Sequence, residues 1–382
     1  MMIYPREDER AIRQQRMVED WTTSGLLQAE QRDRMMPELQ VDLRRTNKFL
    51  RLTLFVFGFI IVSASIGLVA VFLDDSSEAT MSALALAAAG ALFWLSQSMI
   101  MSYRLYRFGV EEAVAIASVV FFALGAGLFM QSDVSSLQAF MAAAGGAFIL
   151  FQRFGFVYAG VAAVLLAGMI PFNLEIVRAD TPRRLIAAVV FLVIFGLARE
   201  RRADHEGEFP GDSYGVLETT AWVGLYLMAN LKVSAWFSID DGYSQFYWAT
   251  YVVIWILPAL GLFLAIRDRH RWMLDANIVM AIVTMMSNKP YLGETSKPWD
   301  PIVFGVFMIV IAIGLKRWLA GGGDATRRGF TAERLLASER ERLSAAGGAA
   351  ALAPGAPAPH SHPVPDLGGG GSSGGAGASS KF

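Results

Sequence analysis

Residues 110–130 read VEEAVAIASVVFFALGAGLFM, two acids followed by an unbroken apolar run. About 20 such residues, wound as a helix rising about 1.5 Å per residue, cross the roughly 30 Å of hydrocarbon in a bilayer. The run lacks the alternation that a membrane barrel wall needs. Lipid offers no partner to an exposed backbone amide, so a helix remains. Outward from this stretch, similar windows predict about ten spans: Leu52–Leu73, Met81–Met101, Val110–Met130, Ser135–Phe151, Phe154–Phe172, Arg183–Leu197, Val216–Phe237, Phe246–Ile266, Trp272–Met286 and Ile302–Leu319. The expected fold is therefore all-α, a polytopic transmembrane bundle over residues 51–320. The sixth window is one of the two shortest, with about 14 apolar residues between Arg184 and Arg199. Pro182 suits its first turn, and Arg183 and Arg184 are expected to snorkel toward the headgroups.

Composition agrees. Of 382 residues 54% are hydrophobic and 18% charged, against about one quarter charged in soluble domains. With 33 basic and 34 acidic residues the formal charge is -1, which disfavours a nucleic-acid binder. There is no cysteine, so disulfides, thiolate nucleophiles and cysteine-ligated metals are excluded. The histidines are His205, His270, His360 and His362, none inside an apolar run. No phosphate-binding glycine loop, zinc-protease helix or nucleophile elbow is present. No catalytic residue, cofactor or metal is assigned, and enzymatic activity is not the leading expectation.

Basic residues mark the cytoplasmic side of short connections. Alternate connections carry Arg104 and Arg107, then Arg153, then Arg199, Arg201 and Arg202, then Arg267, Arg269 and Arg271. The intervening ones offer Asp74, Asp75 and Glu78, then Asp133, then Asp240 and Asp241. Two of them dilute the pattern, with Arg178, Arg183 and Arg184 and with Lys289 and Lys297. Both chain ends then lie in the cytoplasm of an inner-membrane protein.

Residues 1–50 read as a cytosolic helical hairpin, Glu7–Trp21 and Gln28–Leu43, turning at Thr22–Gly25. Arg44, Arg45, Lys48 and Arg51 follow as a juxtamembrane basic patch, either an anionic-lipid contact or a plain topology signal. Residues 321–344 form a linker and an amphipathic helix, Thr331–Leu343. Residues 345–382 are a Gly/Ala/Pro/Ser-rich tail expected to be disordered. The triplet Arg-Phe-Gly recurs at Arg107–Gly109 and Arg153–Gly155, a hint of a duplicated helical pair. The arm, with Trp21, Gly25, Leu26, Leu27, Glu30 and Gln31, resembles bacterial polytopic inner-membrane proteins of unknown function that open with a short cytosolic hairpin. Gln28 stands where a Ser or Thr cap is often found. The resemblance implies a membrane location and no activity.

Acids at bilayer mid-depth are costly and so point to function. None is found there. Glu111, Glu112, Glu218 and Asp275 instead fall near the cytoplasmic first turns of spans three, seven and nine, and Lys232 near the far end of its span. There the helix dipole accounts for the acids. Alternatively they line one inward-facing vestibule of a carrier for a neutral or amphipathic solute. Asn230, Asn277 and Gln97 are the amides available to tie helices or meet a solute. On the outer side Trp236, Tyr243 and Trp248 surround Asp240 and Asp241, either an aromatic belt or a cation-dependent site. Asp74 and Asp75 could hold a cation likewise, and paired acids placed after the first span resemble those of polyprenyl-phosphate glycosyltransferases, although the first outer loop of about seven residues leaves little room for a catalytic cleft. Expected partners are membrane lipids and, through the arm, a cytosolic protein. The readings stand as carrier or assembly component, lipid-linked transferase, and adaptor.

Overall fold

The computed structural model describes residues 3–71, 77–129, 137–174, 176–177, 179–205, 209–231 and 245–287, scattered residues between 302 and 318, and residues 326–327 and 330–331. Among the described residues these α-helices follow in chain order: α1 Arg6–Thr23, α2 Ala29–Met35, α3 Lys48–Val71, α4 Glu78–Tyr103, α5 Val110–Phe129, α6 Leu137–Phe154, α7 Val157–Met169, α8 Asp180–Asp204, α9 Phe209–Ala229, α10 Gln245–Arg267 and α11 Arg271–Ser287. Six of them, α3, α4, α5, α6, α8 and α10, are long and apolar enough to cross a membrane. Their outer faces carry large exposed apolar side chains such as Phe57, Ile60, Leu192 and Val193. Such a surface is compatible with an integral membrane protein.

The sixth span is not short. α8 runs 25 residues because Arg199–Arg202 are good helix formers, and basic residues suit a helix C-terminus. The shorter apolar helix is instead α7, extended by a 3-10 turn over Ile170–Asn173. α9 starts at Phe209 rather than Val216, with Pro210 in a first turn that tolerates it. α10 continues through Pro258. The described residues of the tenth window, Ile302 to Trp318, are helical. Strands β1 (Thr326–Arg327) and β2 (Phe330–Thr331) pair antiparallel. Thr331 was expected to start a helix. The remainder of that helix, and the tail with His360 and His362, lie outside the described residues.

In the arm, Gln28 replaces the expected hydroxyl cap. Its backbone N–H donates to Gln31 Oε1 at 2.9 Å, one half of a reciprocal capping box. The second helix ends at Met35, not Leu43, since Pro37 brings a 3-10 turn over Met36–Leu39. The chain beyond is extended and pairs with the α4–α5 turn. Arg44 N–H donates to Arg104 O at 2.9 Å, and Tyr106 N–H to Arg44 O at 3.0 Å. Ile3 N–H reaches Arg153 O at 2.8 Å, and Arg13 lies 3.2 Å from Asp212 of α9. Ile12 and Val18, on one side of α1, are buried. The arm thus caps one end of the bundle.

The two Arg-Phe-Gly triplets share a local geometry. Gly109 and Gly155 both have positive φ, 115° and 69°, just before α5 and α7. Glycine adopts that conformation without a Cβ penalty. Deeper in the bundle, the Phe191 ring of α8 sits between Gly168 of α7 and Gly224 of α9. A Cβ added at either glycine would meet the ring at 2.0 Å or 2.4 Å. Three helices therefore approach more closely than ordinary side chains permit, as membrane bundles favour.

Candidate functional site

Arg199 and Arg202 lie three residues apart near the end of α8 and so share a helix face. Both reach Glu218 of α9, which is 1% exposed. Arg199 Nη1 is 3.3 Å from Glu218 Oε1, and Arg202 Nε is 2.8 Å from Oε2. Asp268, in the α10–α11 turn, also pairs with Arg199, and it lies 3.5 Å from Arg202 and 3.0 Å from Arg267. His270 Nδ1 stands 3.9 Å from Glu218 Oε2. Gly215 makes room for that ring, since a Cβ there would be 2.7 Å from Nε2.

Glu218 was expected near the first turn of its helix, held by the dipole. It is in fact about 13 Å along α9. Its partners, however, come from the end of α8 and the α10–α11 turn, so α9 projects beyond its neighbours and Glu218 keeps the depth of the turns. Arginines, rather than the dipole, hold it.

Opposed by burial, a hydrogen bond from Arg267 and the charge of Arg199 hold Asp268 below the usual carboxylate range. Burial first, then the Arg202 charge, push His270 down from 6.5 to about 4. A folded value below the unfolded one favours the neutral ring, so this stability is complete above 6.5 and is lost as pH falls toward 4. Melting of the wild type and of His270→Gln, compared at pH 7.5 and 4.5, should show the larger acid-induced drop in the wild type. Equal drops would contradict a buried neutral His270.

Glu111 and Glu112 have a different set of partners. The Glu111 carboxylate accepts from the N–H groups of Phe108 at 2.6 Å and Gly109 at 3.0 Å, closing the start of α5. Glu112 accepts from Arg51 of α3, with Nε at 2.8 Å. A cavity of about 330 Å³ beside this pair is bounded by Phe55, Ile116 and Tyr158. Asp275 is exposed and stands 3.8 Å from Arg271 of its own helix. Among the described residues the four acids have separate partners: the Phe108 and Gly109 amides for Glu111, Arg51 for Glu112, Arg199 and Arg202 for Glu218, and Arg271 for Asp275. Asp240, Asp241, Trp236, Tyr243 and Lys232 lie outside the described residues. Trp248 is exposed on α10, its ring 5.6 Å from Tyr247 and 5.9 Å from Tyr251.

Arg184 does not snorkel. It is 1% exposed and donates to Met228 O at 3.5 Å. Trp222 and Tyr226 of α9, and Asn230 just past its end, follow Glu218 at four-residue steps, all buried and bonded to α11. Trp222 Nε1 donates to Asn277 Oδ1 at 2.9 Å, Tyr226 Oη lies 2.7 Å from Thr284 Oγ1, and Asn230 Nδ2 donates to Tyr226 at 2.8 Å. The Trp222 indole only donates and cannot pass a proton on. This row therefore ties helices together, as expected of the amides Asn230 and Asn277. Gln97 instead accepts from Arg153 Nε at 3.2 Å.

A cleft of about 660 Å³ opens between α6, α7, α8 and α9. Its polar lining is Gln152, Arg201 and Tyr214, at the end where α6 and α8 finish and α7 and α9 begin. Gln152 Nε2 donates to Tyr214 Oη at 3.3 Å. The rest of the lining is apolar, including Phe148, Ala163, Ile194 and Leu197. A second hollow of about 440 Å³, apolar except for Tyr158, lies between α5, α6 and α7. Sequence reading missed the first cleft. The signal was there: Arg201 falls one residue from Arg202 and therefore on another face of α8. No protein-family model matches the chain, and no curated protein matches it.

Proposed function

We propose that this chain is a ten-span, non-enzymatic membrane protein with both ends in the cytoplasm, and that it takes an amphipathic molecule from the bilayer into the α6–α9 cleft. The cleft carries this reading. Its volume lies in the usual range for ligand pockets, roughly 300–1,000 Å³, and its polar groups are gathered at one end. An aqueous path through the centre is disfavoured, because the Glu218 cluster is charge-matched and the α9–α11 row is packed. The orientation rests on the turns bearing Arg104, Arg153 and Arg199–Arg202, which lie at the arm's end of the bundle.

The chain has no cysteine, so single cysteines can be introduced cleanly. Reporter fusions at 104–108, 153–156, 205–208 and 268–270 should all report cytoplasm. Residues 205 and 268 on opposite faces would overturn the map. A fluorescent acyl probe should bind the wild type, and Ala163→Trp should remove most of that binding. An unchanged signal would reject the cleft as the site.

A further inference from the structure

Three arginines end α8, and they divide in role. Arg199 and Arg202 turn toward α9 and are matched by Glu218 and Asp268. Arg201 is exposed and lines the cleft, and among the described residues no carboxylate forms an ion pair with it. Among the described residues, the cleft therefore ends in a cation without a carboxylate partner, flanked by the amide of Gln152 and the hydroxyl of Tyr214. Away from that end the walls are apolar for about 12 Å along α6, from Gln152 back to Ala144. Ala144, Ala163 and Ala167 line the walls there with single methyl groups, which leaves width for a hydrocarbon chain.

We infer that the cleft holds an anionic phospholipid, its phosphate against Arg201 and one acyl chain lying along Ala163 and Leu197. This rests on the cleft being a bilayer-facing site. A guanidinium pairs with phosphate oxygens through two parallel hydrogen bonds, and Gln152 and Tyr214 supply neutral partners for the remaining headgroup oxygens. A zwitterionic lipid would bring its own ammonium toward Arg201, so the site selects by charge. Arg199 and Arg202 do not compete, because Glu218 and Asp268 occupy them.

The test uses the full chain in nanodiscs of equal phosphatidylglycerol and phosphatidylcholine, with retained lipid identified by native mass spectrometry. The wild type should retain phosphatidylglycerol over phosphatidylcholine by about fivefold, the worth of one basic residue at a lipid surface. Arg201→Gln should bring the ratio to parity while lipid is still retained. Ala163→Trp should abolish retention of both, and Leu197→Phe serves as a second block if that variant fails to fold. A wild type without headgroup preference, or an Arg201→Gln that keeps it, overturns this inference and leaves the cleft reading standing. Lipid retained equally by both blocked variants, or a stable dimer whose second copy fills the cleft, overturns the cleft reading as well.

Discussion

Replacing Glu218 with alanine should destabilise the protein by about 3–5 kcal/mol, the usual consequence of removing one member of a buried ion pair. Arg199 and Arg202 would then share Asp268 alone, with both guanidiniums largely covered. Denaturation in mixed micelles measures the loss. The double variant Glu218→Leu/Arg202→Met should recover a substantial part, because the cost arises from the stranded charge rather than from the missing contact. A loss below about 1 kcal/mol would place Glu218 among ordinary surface pairs and refute the cluster as a clamp between α8, α9 and the α10–α11 turn.

Gly109→Ala should cost about 3 kcal/mol or more, through two penalties that add. Its φ of 115° is strained for any side chain, at about 1–3 kcal/mol. A Cβ would also stand 2.3 Å from the Arg51 carbonyl oxygen, which is backbone and cannot rotate away. α3 would have to shift from α5, loosening the Arg51–Glu112 pair. Gly25→Ala is the internal comparison: it carries a left-handed φ of 77° with nothing within 4 Å of the added Cβ, so its effect should be the smaller. Equal effects would show that the close approach of Arg51 contributes nothing.

Much of this architecture could be read from hydropathy. The windows for α4, α5 and α10 fall within a few residues of the observed helices, because lipid-facing and core-facing positions are both apolar and the run length alone carries the information. Polar helix extensions were invisible to that reading. Arg199–Arg202 and residues 209–215 are helical but hydrophilic, so a hydropathy window assigns them to a loop, and the first of these extensions supplies both arginines that hold Glu218. Arg184 was misplaced for a related reason: sequence shows its nearness to the helix start but not that α9 covers it. Charge-matching is likewise a tertiary fact. Glu112 and Glu218 look alike in sequence, each an acid near a basic stretch, and only packing assigns them Arg51 in one case and Arg199 with Arg202 in the other.

The arm's backbone bonds to Arg104, Tyr106 and Arg153 also bear on synthesis. Ile3 is translated about 150 residues before its acceptor, a delay of roughly 10–30 s at ordinary elongation rates. For that interval Tyr4 and Ile12 lack the bundle side chains of their core cluster, Ile100, Tyr106, Leu150 and Phe154. The arm is therefore made before its acceptors yet settles only after them, and a ribosome stalled between the two would display a sticky segment for quality control to find.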